Sequence, residues 1–228
     1  MSNSFEDICI SFSICCLFLL LCRRFLLNFY GPKVSYLSWL LVPISLIMPF
    51  ISMPNWFAEL NEGQSITQVI TVINTSTNSL SNSSEQVLLS IWLVGFIALL
   101  SFWLYRHIRM LFTQGDWERT LLNKPKLDTY KLSIFKSSHI HSPMLVGLIK
   151  PKLLLPEDFE TLFSEEQQTL ILEHELCHFK RNDMVWNSIA LLLLALFWFH
   201  PLAWLAFSRF RRDQELSCDQ VVLARKHI

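Results

Sequence analysis

Residues 174–178 read His-Glu-Leu-Cys-His, an H-E-x-x-H pattern inside an apolar run long enough for a helix. On an α-helix, positions i and i+4 share one face. His174 and His178 can therefore offer two imidazole nitrogens to a single Zn²⁺. Glu175, beside the first histidine, can reach a water held at that ion. Two neutral nitrogen ligands, an open coordination position and a carboxylate base are the parts of a zinc peptidase. Five-residue patterns recur by chance, and a helix whose polar face carries two histidines is the bland alternative. The rest of the chain has to decide.

Zinc needs a third protein ligand. Downstream, residues 184–208 carry no charge, yet Lys180 and Arg181 precede them and Arg209, Arg211 and Arg212 follow. A straight membrane span would put one basic cluster on the wrong side. His200-Pro201 interrupts the run. Proline disfavours helix at the residue before it and suits the first turn of a new helix. A helical hairpin resolves the conflict: one arm, from about Asp183 to Phe199, dips into the bilayer, and a second returns from Pro201. The returning helix carries Asp213, Glu215 and Asp219. Glu215 and Asp219 are four apart and share a face. Glu215 is the expected third ligand, since one carboxylate can bind the metal while another orients a histidine through its free N–H. A solvated charged face is the plainer reading of the same pair. His200 at the hairpin tip reads as a turn residue.

The elements upstream must hold this site at a membrane. The chain has 228 residues, 52% hydrophobic and 17% charged, which argues against an ordinary soluble domain. Apolar runs at about 5–22, 34–53 and 87–105 approach the roughly 20 residues a spanning helix needs. The first reads as an anchor and not as a signal peptide: no basic residue precedes it and no small-residue cleavage site follows. Pro43 and Pro49 are expected to bend or end the second. Of the nineteen Lys and Arg, only Arg23, Arg24 and Lys33 precede Arg106. Positive-inside logic then gives one topology, with the N-terminus outside, 23–33 inside, 54–86 outside and everything from Arg106 on the cytosolic side. The 54–86 segment, rich in Ser, Thr and Asn, reads as a polar outer connector. The six cysteines fit no zinc-ribbon or disulfide framework and read as free thiols, with Cys177 a small packing residue.

Between Arg106 and the motif the texture is mixed. Trp117 to Asp128 suggests a short helix before Pro125. Tyr130 to Phe135 and Met144 to Leu155 read as short strands, and Pro143, Pro151 and Pro156 favour a sheet edge. An edge beside a peptidase helix can align an extended substrate backbone, which makes Met144, Leu145, Val146, Gly147, Leu148 and Ile149 candidates for substrate binding. His139 and His141 form an H-x-H pair, more simply read as polar loop residues. Ser164-Glu165-Glu166-Gln167 is a capping box that should start the motif helix, which should end near Lys180-Arg181-Asn182.

Three stretches together resemble the BlaR/MecR-type membrane metallopeptidases. They are His174 to Asp183, Phe199-His200-Pro201-Leu202-Ala203-Trp204, and Glu215-Leu-Ser-Cys-Asp219. The segment from Ser142-Pro143 to Pro156 adds to the likeness, which covers essentially the whole chain. The resemblance implies a gluzincin-like site with one Zn²⁺ per chain, His174, His178 and Glu215 as ligands and Glu175 as base. The Glu-x-x-x-Asp element is also similar to that of HtpX-like peptidases and implies a supporting role for Asp219 behind the ligands. The implied fold is mainly α and polytopic. It has three transmembrane helices over residues 1–105, then a cytosol-facing peptidase domain, 106–228, with a small strand-containing segment and a helix pair joined by the membrane-dipping hairpin 184–208.

The implied function is a regulatory, signal-transducing zinc metalloendopeptidase of a bacterial cytoplasmic membrane. It would cut a cytosolic protein or peptide substrate, a transcriptional repressor in the best-known members. The bilayer and an external sensor domain or signal are the other implied partners, and direct nucleic-acid binding is not expected. The penicillin-binding sensor of those members has no counterpart in these 228 residues, so antibiotic sensing is not carried over. The chain stops inside an expected helix, as a piece of a longer protein would. A constitutive quality-control protease of the HtpX type and a non-catalytic membrane transducer are the competing readings. For the oxyanion donor, His141 and Arg212 are both candidates and the sequence does not choose.

Overall fold

The computed structural model describes residues 2–47, 74–113, 117–120, 132–148 and 150–226. Helix α1, Ser2–Phe29, runs past Arg23-Arg24 without ending. Its Arg23 turns inward and pairs with the buried Asp213, Nη2 to Oδ1 at 2.6 Å. An arginine is thus accommodated at this level by a partner carboxylate rather than by the end of the helix.

The second apolar run, expected over 34–53 with a bend or end at Pro43 or Pro49, breaks ahead of Pro43. Its described part forms two short helices, α2, Pro32–Ser38, and α3, Leu41–Ile47. Pro43 supplies the reason. It has no N–H for the carbonyl of Trp39, which accepts instead from the Val42 N–H at 3.2 Å, a tighter i to i+3 bond. Residues 48–53 of the expected span lie outside the described residues. Helix α4, Asn74–Thr113, is 40 residues long. It begins well inside the segment read as a polar outer connector, so residues 74–86 are helix. Once an apolar helix is nucleated, each added residue gains a hydrogen bond, and Ser, Thr and Asn then continue it.

Among the described residues, two helical stretches, Glu6–Phe29 and Gln86–Arg109, are long and apolar enough to cross a membrane. None of the latter's apolar window is buried within the protein. Helix α4 leans on the hairpin through its indole rings: Trp92 Nε1 donates to the Leu196 carbonyl at 2.9 Å, and Trp198 Nε1 to the Trp92 carbonyl at 3.2 Å. Gly95 is the contact point, where any Cβ would lie 2.2 Å from the Trp198 ring.

A four-stranded sheet follows: β1, Glu118–Thr120; β2, Ser133–Ser137; β3, Met144–Val146; and β4, Lys152–Pro156. Its order is β1-β2-β4-β3, with β2 and β4 parallel and both outer pairs antiparallel. The stretch from Met144 to Leu155, expected to hold short strands, forms β3 and most of β4. Gly147 takes the turn between them at φ +98°, a left-handed conformation that favours glycine. β1 lies where a mixed segment was expected. The short helix expected before Pro125 lies outside the described residues. Leu153 and Leu155 of β4 pack, fully buried, with Phe159 and with Leu172 of the motif helix.

A single turn of helix, α5, Phe159–Leu162, leads to α6, Glu165–Lys180, which carries the motif. Its capping box forms as expected: the Ser164 hydroxyl accepts from the Gln167 N–H, and Gln167 Oε1 accepts from the Ser164 N–H at 2.9 Å. Asn182 reverses the chain at φ +53°. Then come α7, Asp183–Leu196, and α8, Pro201–Lys226. These are the two arms of the hairpin, and Pro201 opens the second as expected. The apolar core of the helical bundle joins Phe12, Cys16 and Leu19 of α1 to Tyr36 and Trp39, to Leu194, and to Ala206 and Phe210 of α8.

Candidate metal centre

The motif helix and the returning helix bring three donor atoms together. His174 Nε2 and His178 Nε2 lie 3.1 Å apart. Glu215 Oε2 lies 3.4 Å from each of them. With ligands at 2.0–2.1 Å, the edge of a zinc tetrahedron is about 3.3 Å. The triangle has that size, so the donor set fits a tetrahedral ion with one position open. The helix pitch supplies the two imidazoles, and the hairpin supplies the carboxylate, 41 positions after His174 in the chain.

The electrostatics of these groups in the absence of a cation agree with that use. Hydrogen bonds from His174 and His178 hold the Glu215 carboxyl well below the ordinary carboxylate range, against the effect of burial. The Glu215 hydrogen bond raises the pKa of His174, although burial and His178 oppose it. Burial also disfavours the charged form of His178, but the Asp183 and Glu215 carboxylates outweigh it and lift the pKa to about 9. The carboxylates are thus set to stabilise positive charge between the rings, where a proton or a divalent ion can sit. Burial raises the pKa of Glu175, against the pull of His178 and His174. That moves a carboxylate toward the range useful for a general base.

Both histidines are oriented from behind. His174 Nδ1 meets Asp219 Oδ1 at 3.1 Å. His178 Nδ1 meets Asp183 Oδ2 at 2.6 Å. Carboxylates in that position fix the ring and its tautomer and leave Nε2 for a metal. Asp183 is the residue that reasoning from sequence missed. It is 2% exposed and accepts further bonds from Arg181 Nη2 at 2.7 Å and from the Tyr36 hydroxyl at 2.9 Å. One signal was readable: an acidic residue opens an otherwise uncharged run, just after an asparagine able to reverse the chain. Asp213, on the same helix as Glu215, does not join the site; it is buried among Arg23, Ser35 and Trp39.

The backbone of Leu145 in β3 faces the Glu175 carboxylate and pulls its pKa down, against burial. β3 is an outer strand of the sheet and packs against α6. Met144, Leu145 and Val146 therefore form an edge at the base. Gly147 and Leu148 have already left the strand, which shortens the alignment surface expected from sequence, and Ile149 lies outside the described residues. His139 and His141 are exposed residues of the β2–β3 loop, and Arg212 is exposed on α8. His200 sits at the hairpin turn with its Nε2 2.9 Å from the Ser13 hydroxyl.

A second group of donors, His178, Asp183 and Cys218, is also close-set. It uses the Nδ1 of His178 that Asp183 already holds, and the Arg181 guanidinium beside Asp183 opposes a cation there. Cys177 and Cys218 are both free thiols in the packed α6–α8 contact.

The BlaR1 peptidase M56 family model matches residues 4–228. The regulatory protein BlaR1 of Bacillus licheniformis is 30% identical over 159 residues, covering 64% of this chain and 26% of that protein. The methicillin resistance mecR1 protein of Staphylococcus aureus is 27% identical over a 243-residue alignment, covering 92% of this chain and 41% of that protein. This chain therefore spans only a quarter to two-fifths of the length of these relatives. A match over all but its first three residues shows that the chain belongs to the BlaR1 peptidase M56 family.

Proposed function

We propose that the chain is the membrane-embedded zinc metalloendopeptidase part of a regulatory protein. The observation that carries this reading is the triangle of His174 Nε2, His178 Nε2 and Glu215 Oε2, with edges of 3.1 to 3.4 Å. These three residues would hold one zinc ion, which when bound supplies Lewis acidity toward a peptide carbonyl and a water more acidic than bulk water. Glu175 takes the proton of the attacking water and passes it to the leaving amine. Asp219 and Asp183 hold the two imidazoles with Nε2 forward. The Met144–Val146 edge aligns the substrate backbone as an added strand, and Leu145 fixes Glu175 in line with it.

The apolar stretches Glu6–Phe29 and Gln86–Arg109 support anchoring in a bacterial cytoplasmic membrane, and the basic residues of 23–33 and beyond Arg106 support a cytosol-facing site. The likeness to a regulatory protein and a methicillin resistance protein supports a regulated enzyme with a specific cytosolic protein substrate, such as a repressor, over a quality-control protease.

The test pairs zinc content with proteolysis in detergent-purified wild type and Glu175→Gln. About one zinc per chain is expected in both, with self-cleavage or casein cleavage lower by about 10²–10⁴-fold in the variant. A folded wild type that takes up no zinc would overturn the reading, as would a Glu175→Gln variant that cleaves like wild type.

A further inference from the structure

An apolar cavity of about 280 Å³ opens between α1, α2, α3, α7 and α8, and shares no lining residue with the donor triangle. Trp39, Val42, Trp186, Leu193, Ala206 and Phe210 form much of its wall. One end differs from the rest. There Lys33, Arg181 and Ser217 line it, and no acidic side chain lines any part of it among the described residues. The Arg181 guanidinium lies 4.4 Å from the centre of the Tyr36 ring and donates to the Ser217 hydroxyl at 2.9 Å. Its charge is balanced by Asp183. Lys33 is exposed, three residues before Tyr36 on the same face of α2. The cationic end therefore presents one exposed ammonium beside a compensated guanidinium.

The dimensions suit a hydrocarbon chain. Ala203 and Ser217 both line the cavity and lie about 21 Å apart along α8 at 1.5 Å per residue. That exceeds the half-thickness of a bilayer core, about 15 Å. Leu37, Leu41 and Ile44 flank the cavity with exposed apolar side chains, so in a bilayer its surroundings are lipid. The cationic end lies level with Arg23 and Asp213, where the distribution of basic residues places the cytosolic surface.

We propose that this cavity binds an anionic phospholipid of the cytosolic leaflet, with one acyl chain in the apolar trough and the headgroup phosphate at Lys33. This rests on the membrane placement proposed above. A zwitterionic lipid fits the trough equally well but gains little at the cationic end, so the charge of Lys33 sets the preference.

The test reconstitutes the full chain in nanodiscs of phosphatidylcholine containing a minor share of phosphatidylglycerol. A photoreactive acyl chain is carried on either lipid, and crosslinked peptides are mapped by mass spectrometry. Labelling at Trp186 and Ala206 is expected to favour the phosphatidylglycerol probe. Lys33→Gln should cut that preference about fivefold, the effect of one lysine at a membrane surface. Ala206→Trp should fill the trough and abolish labelling there. Leu93 and Ile97 on α4 should be labelled by both probes in every variant. Cavity labelling that is absent, or indifferent to headgroup and to Lys33→Gln while α4 is labelled, overturns the lipid site alone. Lys33 is exposed, so its variant keeps the test decisive where Ala206→Trp does not fold. Absence of labelling on α4 as well overturns the membrane placement, and the lipid site with it.

Discussion

Asp183→Asn removes one charge and almost no volume at the point where His178 is oriented. The carboxylate it replaces accepts from His178 Nδ1, from Arg181 and from the Tyr36 hydroxyl, and is 2% exposed. Each carboxylate oxygen accepts two bonds, from His178 and Arg181 at Oδ2 and from Tyr36 and Arg181 at Oδ1, so an amide keeps the pair at its oxygen and turns its NH₂ toward the donors of the other. The imidazole then loses its fixed tautomer and some of its basicity. Changes of this kind behind a metal ligand cost about 10–100-fold in metal affinity, or roughly 1.4–2.7 kcal/mol. Asp219 makes the equivalent contact to His174 at 3.1 Å, but its side chain is 56% exposed. Water can replace it, so Asp219→Asn should fall at the low end of that range or below it. The assay is a competitive zinc titration against a chromophoric chelator, with thermal unfolding of both metal-free proteins as a control. Arg181 keeps Ser217 and the Gln214 carbonyl as partners, so the stability loss should stay within about 1–3 kcal/mol. A folded Asp183→Asn variant with wild-type zinc affinity refutes the reasoning. So does a larger loss from Asp219→Asn.

The raised pKa of His178 makes the metal-free protein sensitive to pH. A histidine whose pKa is lifted from 6.5 to about 9 gives stability that is fully present below about pH 6.5 and is lost as pH rises through about 9. Chemical denaturation of chelator-treated protein should therefore show declining stability over that window, while zinc affinity rises because fewer protons must be displaced. Flat profiles would contradict the placement of both carboxylates. Gly147→Ala puts a Cβ 3.0 Å from the Lys150 carbonyl at φ +98°. It should cost about 1–2 kcal/mol of stability and lower kcat/KM by shifting the edge strand, with zinc stoichiometry unchanged.

What could be read from sequence was what local geometry fixes. The i, i+4 spacing sets His174 and His178 on one face whatever surrounds them, and the capping box sets where their helix begins. Glu215 was reachable because an uncharged run between two basic clusters, broken at His200-Pro201, leaves a hairpin as the economical solution. Other features depend on partners far away in the chain. Asp183 could equally have capped a helix in solvent; only the fold shows Tyr36 and His178 closing on it. The break between α2 and α3 falls at Trp39, whose carbonyl lacks the N–H that Pro43 cannot provide, and the neighbouring packing sets its exact place. β1 is three residues, Glu-Arg-Thr, with no apolar alternation to betray it. The start of α4 was hidden by residues that favour turns in isolation.

These distant partners bear on whether residues 1–105 and 106–228 can be separated. Asp213 is completely buried, and the side-chain donors that satisfy it, Arg23, Ser35 and Trp39, all lie in the first forty residues. Tyr36 serves Asp183 in the same way. Expressing 106–228 alone removes every one of these donors and leaves a carboxylate in an apolar contact without its cation. Breaking a buried pair from one side costs about 3–5 kcal/mol, against a total stability of about 5–15 kcal/mol. The loss falls on α8, which also carries Glu215. The isolated segment should therefore fail to hold zinc at the affinity of the full chain, and co-expression of 1–105 should restore binding. If 106–228 alone folds and titrates with one zinc at full affinity, the N-terminal helices are an anchor only. If it needs them, the N-terminal helices are part of the scaffold of the metal centre, and a displacement of α1 or α2 has a direct mechanical path through Tyr36 and Asp183 to His178.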